Sequence, residues 1–358
     1  MSQRTAIPYS LLGPLASVLL GWSCGLDFRG PPQEFALSDK SLAMLADDDA
    51  GRSELEAGLT RHFGTSTAPS LVECLPQSLS TASLASAADL YRQKCEHCHG
   101  ASGGGDGRTS HSLRPPPRDF RLGIFKFTSL LHGARPEIVD LRDVLDNGIE
   151  GAAMPSFRSL PDEDRSGLAA YVQLLSMRGE TEHYVLADYE MTGKVSSELV
   201  DEAFQVISER WSDPSRQRVV GTNPIPAESS ASVARGRELY NDSAGANCVS
   251  CHGRDGRGEG PSSLESVAGD PAEVELALVD IWGHPSRPTD LVDGPYLHGV
   301  EPLDIYRRIV IGVPGTPMPG LGEDILSDAD MWSLVHYVRF LHDPTIAPHL
   351  PLVLGTAP

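Results

Sequence analysis

The chain has 358 residues, 40% of them apolar and 22% charged, enough to bury packed cores and too apolar for a wholly disordered or fibrous chain. Lys and Arg total 29 against 49 Asp and Glu, a formal net charge of −20, so the surface repels phosphate backbones and nucleic acid is excluded as a natural partner. Length suggests about two domains, and the 35 Gly and 28 Pro predict loop-rich domains in which long regular helices do not dominate.

Residues 1–7 (MSQRTAI) carry one arginine and no acid, and 8–23 are apolar but broken by Pro8, Gly13, Pro14 and Gly21. That stretch is too short and too interrupted for a permanent span and reads as a secretory h-region. Cys24-Gly25 follows, as in the lipid-modification site of bacterial lipoproteins, although Gly21 stands where a leucine is usual. The alternatives for Cys24 are an ordinary thiol or a pair with Cys74. Segment 1–24 is therefore expected to direct export to the periplasm or the outer face of a bacterial membrane, with a lipid on Cys24 as the one membrane attachment. No later segment approaches 18 uninterrupted apolar residues.

Residues 25–80 read as an N-terminal extension with Pro31-Pro32, a helical stretch near 53–63 and the lone Cys74. From 81 onward the chain repeats itself. ADLYRQKCEHCHG (88–100) matches RELYNDSAGANCVSCHG (237–253), PRDF (117–120) matches PTDL (288–291), and LHGARP (131–136) matches LHGVEP (297–302). GIEGAAMP (148–155) matches GVPGTPMP (312–319), with glycine six residues before methionine in both, and LAAYVQLL (168–175) matches LVHYVRFL (334–341). The order is the same in each half, so one domain type, 81–178, recurs at 233–343.

Residues 82–94 lack Gly and Pro and predict a helix running into the first Cys-x-x-Cys-His. The last pair of matched segments places Leu, Tyr, Val and Leu at i, i+3, i+4 and i+7, the stripe of an amphipathic closing helix, begun at Pro161 and at Ser327. Strand signals are weak throughout. Between the copies, 179–232 reads as a linker with one helix near 196–211, ending in the polar run GTNPIPAESSAS (221–232). Each copy is expected to hold its own core independently, and 344–358 is a Pro-rich tail.

Four of the six cysteines form the two Cys-x-x-Cys-His motifs, Cys95, Cys98, His99 and Cys248, Cys251, His252. Cysteines three apart reach the two vinyl groups of one haem while the adjacent histidine comes beneath the iron, so each motif predicts covalently attached haem c. Zinc would want four protein ligands where each motif offers three. A thioredoxin-like pair would need a βαβ context, and a Cys95–Cys98 disulfide would be strained and leave the histidine unexplained.

Met154 and Met318 lie at matching places in Gly/Pro loops and are the expected sixth ligands of the irons bound by His99 and His252. The competing reading of a lone methionine is core packing. His111, His132, His284 and His298 are the histidines that would compete, His132 and His298 as a repeated Leu-His-Gly. His62, His97, His183, His336, His342 and His349 read as solvated or helix-surface residues. Tyr171 and Tyr337 read as packing against the haem-binding helix, and Arg118 as a partner for a haem propionate, although Thr289 stands at its place in the second copy.

Both halves resemble class I cytochrome c domains, through LYRQKCEHCHG with GAAMPSF and LYNDSAGANCVSCHG with GTPMPGL, over roughly 82–178 and 233–343. The segment 106–129 resembles the first domain of exported dihaem cytochromes found beside respiratory complexes. The resemblance implies an all-α fold, two tandem haem domains joined by a helical or irregular linker after the N-terminal extension, and one-electron transfer between a respiratory donor and a terminal oxidase or reductase. The alternative it leaves is a dihaem peroxidase or thiosulfate-oxidising enzyme with one open haem. Two departures stand out: the extension, and a second copy with about 18 more residues between its histidine and Pro-x-Asp.

Overall fold

The computed structural model describes residues 35–131, 133–213, 217–267, 270–322 and 325–348, with the backbone alone for 265–275. The expectation for Cys24 therefore lies outside the described residues. Serine and aspartate side chains cap most helix starts, each oxygen accepting from a backbone N–H that the helix leaves unpaired. Ser38 caps α1 (Asp39–Met44), Asp48 caps α2 (Asp49–Phe63), and Ser80 caps α3 (Thr81–Lys94). Then come the one-turn α4 (Glu96–His99), α5 (Ile138–Asn147) and α6 (Asp162–Thr192). Ser196 caps α7 (Ser197–Ser212).

The second copy follows the same course: α8 (Ser230–Asn241), α9 (Val249–His252), α10 (Pro302–Ile311) and α11 (Asp328–His342). They correspond in order to α3, α4, α5 and α6. The all-α reading holds with one addition, an antiparallel hairpin of β1 (Leu264–Val267) and β2 (Asp270–Leu276). It lies within the residues by which the second copy exceeds the first. No described helix is long and apolar enough to cross a membrane.

Each copy buries its own apolar cluster. In the first, Leu84, Ala88 and Tyr91 of α3 meet Leu168, Tyr171 and Leu175 of α6, joined by Leu59 and Phe63 of α2 and by Ala203 and Trp211 of α7. In the second, Val233 and Tyr240 of α8 pack with Ile305 and Tyr306 of α10 and with Trp332, Val335 and Tyr337 of α11. The extension and the helix read as part of a linker are thus layers of the first core.

Two expectations fail here. Composition predicted no dominant long helix, yet α6 runs for 31 residues. It continues past the amphipathic stripe because α1, α2 and α7 give its second half something to pack on. There the Glu182 carboxylate, fully buried, accepts from Ser38 N (2.7 Å) and from Ser41 Oγ and lies 3.4 Å from Arg178. Glu180 accepts from Trp211 Nε1 (2.8 Å) and pairs with Arg135. Secondly, His336 is buried rather than at the surface, its ring nitrogens 2.8 Å from Ser232 Oγ and 3.2 Å from Pro226 O, so it pins the residues around the start of α8 to α11. Cys74 lies with its Sγ 3.2 Å from Met177 Sδ.

Candidate functional site

Both Cys-x-x-Cys-His motifs occupy a single helical turn clamped from one side by tyrosine. Tyr91 on α3 donates its hydroxyl proton to Gly100 O (2.9 Å), and Tyr240 on α8 donates to Gly253 O (2.8 Å), the carbonyl immediately after each histidine. Tyr171 and Tyr337 back these rings at 5.2 Å in each copy, which is the packing role expected of them.

The histidines are oriented by main chain. His99 Nδ1 is 3.1 Å from Arg118 O and His252 Nδ1 is 3.1 Å from Thr289 O. A carbonyl can only accept, so the proton is assigned to Nδ1 and the Nε2 lone pair is left for a metal. Burial pushes His99 down to about 4 and lowers His252, keeping both rings neutral at neutral pH. This explains the repeated Pro-x-Asp. Residue x contributes its carbonyl, so Arg in one copy and Thr in the other serve equally. The aspartate turns the chain, Asp119 Oδ1 accepting from Arg121 N (2.9 Å) and Asp290 Oδ1 from Val292 N (2.9 Å). The sequence signal for this orienting carbonyl was the motif itself, which residue identity at 118 obscured.

The glycine-to-methionine spacing has an equally local cause. Gly148 ends α5 with φ 69° and ψ −163°, and Gly312 ends α10 with φ 74° and ψ −164°, backbone that is essentially glycine's own. The next residue then folds back: Ile149 N donates to Met154 O (3.0 Å) and Val313 N to Met318 O (3.1 Å). A second tie anchors the far side, Phe157 N to Leu145 O (2.8 Å) and Leu321 N to Ile309 O (2.9 Å). Each methionine is thereby fixed by backbone bonds to the helix before it.

In the first copy Cys95, Cys98, His99 and Met154 line one cavity of about 360 Å³, walled mainly by apolar side chains such as Leu141, Val144, Phe157 and Val172. Residues 82–172 match the family described as cytochrome c oxidase, cbb3-type, subunit III, and residues 233–342 match the family cytochrome c. The chain carries two cytochrome c domains in tandem. Among solved structures, a chain of the Kuenenia stuttgartiensis reducing HAO-like protein complex is similar at 26% identity and a TM-score of 0.55, over 75% of this chain and 99% of that one. No curated protein matches.

Cytochrome c domains bind haem c, and the first cavity fits it. The first cysteine of each motif is held away from thiolate chemistry, burial pushing Cys95 up to about 12 and Cys248 to about 11. That suits sulfur bonded to carbon better than a redox dithiol. Arg118 and Lys126 lie in the wall, where burial, and for Lys126 also the Arg118 charge, lowers them to about 10 and about 8. Largely buried cations that share the Asp280 carboxylate beside an apolar slot suit a flat apolar group with carboxylates at its edge.

The first domain does not build this cavity alone. Asp280, Trp282, His284 and Leu297 of the second domain complete its wall, so each copy has its own apolar cluster but the first cavity is built by both. Residues 278–286 form a tight loop after the hairpin, with Ser286 N donating to Leu278 O (2.9 Å) and Asp280 N to His284 O (2.8 Å). Trp282 at its tip packs under the Arg118 guanidinium, 3.6 Å from the ring centroid. Its indole Nε1 is buried without a hydrogen-bond partner in the protein. Sequence reading could not find this, because the partners lie some 160 residues apart.

Of the histidines weighed as competitors, His284 reaches the first cavity, whereas His298 stacks on Phe127 at 4.6 Å in a separate small cavity with Asp140 and Arg307. His132 lies outside the described residues.

Proposed function

We propose that this tandem cytochrome is a dihaem one-electron carrier working outside the cytoplasmic membrane, with haem c attached at Cys95/Cys98 and Cys248/Cys251 and ligated by His99 with Met154 and by His252 with Met318. The observation that carries the reading is the single apolar cavity lined by both cysteines, His99 and Met154, together with the main-chain geometry repeated around His252 and Met318. Haem held in this way supplies a one-electron Fe(III)/Fe(II) couple. The residues orient the imidazoles through Arg118 O and Thr289 O, bring the thioethers in on tied loops, and exclude water with aliphatic walls. Such ligation leaves no position for a substrate, which favours a carrier over an enzyme.

The likeness to a chain from a complex of HAO-like protein supports a role as the electron-transfer subunit of a larger oxidoreductase. The charge of −20 suits a redox partner with a basic docking face, with association steered at low salt. Export rests on residues 1–23 and anchoring on Cys24. A Cys24→Ser protein released from membranes is the expected result, and an unchanged membrane fraction would remove the lipid from the reading.

An optically followed redox titration tests the whole. Two low-spin haems, each with its own midpoint, are expected. A high-spin haem in the resting protein would instead indicate an open iron and the enzyme reading.

A further inference from the structure

We propose that Trp282 is a positioning residue shared by both haem sites: its indole N–H donates to the carboxylate edge of the haem bound at His99, while its ring forms the seat of the loop that carries Met318. The proposal rests on the dihaem reading.

Four observations converge on it. The first is that Trp282 belongs to the second domain yet lines the cavity of the first, beside Arg118 and Lys126. The second is its buried, unpartnered Nε1. A buried N–H without an acceptor carries a desolvation cost that an ionised carboxylate relieves, and the wall offers that N–H beside two cations. The third concerns the other side of the ring. A side chain at Gly315 would collide with the six-membered ring of Trp282, so the indole rests on bare backbone three residues before Met318. Ile281 N also donates to Gly315 O (2.9 Å), fastening the two loops together.

The fourth is that the tip is held rigidly. Asp280 Oδ1 accepts from Trp282 N and from His284 N, both at 3.0 Å, and Asp280 Oδ2 lies 3.7 Å from Lys126 Nζ across the domain boundary. The indole is thus fixed between an occupant of the first site and the methionine loop of the second. The extra residues of the second copy have a purpose on this account: they complete the first site and tie it to the second.

Two substitutions separate the parts. Trp282→Phe keeps a ring under Arg118 and against Gly315 but has no donor. It is expected to alter the first haem alone, lowering its reduced-to-oxidised ratio at a fixed electrode potential on the order of threefold to tenfold, because the carboxylate then sits less neutralised and favours the ferric state. Trp282→Ala also removes the seat of the Met318 loop and is expected to move the haem methyl resonances of both haems. Val144→Ala, a cavity-wall change confined to the first site, should move one set only.

An unchanged first haem in Trp282→Phe would overturn the donor role, and a change confined to the first haem in Trp282→Ala would overturn the link. Should the Ala variant fail to accumulate, the unmodified protein labelled with indole 15N decides. The Trp282 N–H resonance, recognised by its loss in Trp282→Phe, should shift between the oxidised and reduced states, and an unmoved resonance would refute the proposal. Haem content separates this from the reading beneath it: fewer than two covalent haems in the parent defeats the dihaem assignment, whereas two haems with unaltered spectra defeats Trp282 alone.

Discussion

Replacing Gly148 by alanine should unseat Met154 while leaving haem attachment intact. A Cβ there would stand 2.7 Å from Pro155 C and Ser156 N and 2.8 Å from Met154 O, all main-chain atoms that cannot rotate away. The dihedrals, φ 69° and ψ −163°, add a strain of about 1–3 kcal/mol for a residue with a side chain. Breaking the bond from Ile149 N to Met154 O to relieve the collision costs about 1 kcal/mol more. The loop is therefore displaced at roughly 2–4 kcal/mol, a thermal midpoint lower by about 2–4 °C for each of those. The sulfur-to-iron charge-transfer band of the oxidised first haem should disappear. Axial ligands set haem potentials over about 0.8 V, so loss of one thioether lowers that midpoint by on the order of 0.1 V. Gly193→Ala is the control: φ is 66° with nothing within 4 Å, so it bears the left-handed strain of about 1–2 kcal/mol without touching a methionine. If Gly148→Ala kept the band and the potential and lost no more stability than Gly193→Ala, the tie between glycine and methionine would be wrong.

Met154→Ala and Met318→Ala should each open one iron to cyanide and lower one midpoint by on the order of 0.1 V, both visible in a titration. Tyr91→Phe and Tyr240→Phe each remove one buried bond to a glycine carbonyl, about 1 kcal/mol apiece by denaturant unfolding, and the double variant should lose about twice that, since the sites share no partner. His298 gives a pH dependence. Burial holds it down to about 4, so between the ordinary value of about 6.5 and that value the unfolded chain takes up a proton that the folded chain refuses. Its contribution is complete above about pH 6.5 and is lost as pH falls toward 4, by at most about 3 kcal/mol. His298→Leu should narrow the gap between the thermal midpoints at pH 7 and pH 5, and an unaltered gap would assign the loss to other groups.

Much of the first site was legible because its parts are local. Cys-x-x-Cys-His, the glycine six residues before methionine and the tyrosine before the motif are each set by one helix turn or one loop, and duplication printed each of them twice. The helices near 53–63, 82–94 and 196–211 emerged as α2, α3 and α7 within a few residues, again because caps and periodicity are short-range. What spacing could not disclose was tertiary. Arg118 drew attention through its charge, whereas the atom that orients His99 is its carbonyl oxygen, invisible to residue type. The second copy's extra residues looked like a local insertion, yet their tip closes a cavity in the other domain. His336 reads as surface by its polarity and is buried because Ser232 Oγ and Pro226 O, about a hundred residues earlier in the chain, meet its two ring nitrogens.

The long α6 alters what could be moved to another protein. The family match in the first half ends at residue 172, part-way along a helix that continues to Thr192. Thirty-one residues at about 1.5 Å each make a rod of about 46 Å. One stretch faces the haem cavity through Ala169 and Val172, and the next holds Glu180 and Glu182 against α7 and α1. Cutting at the match would remove Leu174, Leu175, Val185 and Leu186 from the first core together with the two buried carboxylates. The smallest unit of this half that keeps those contacts therefore runs from the capping serine of α1 to the end of α7.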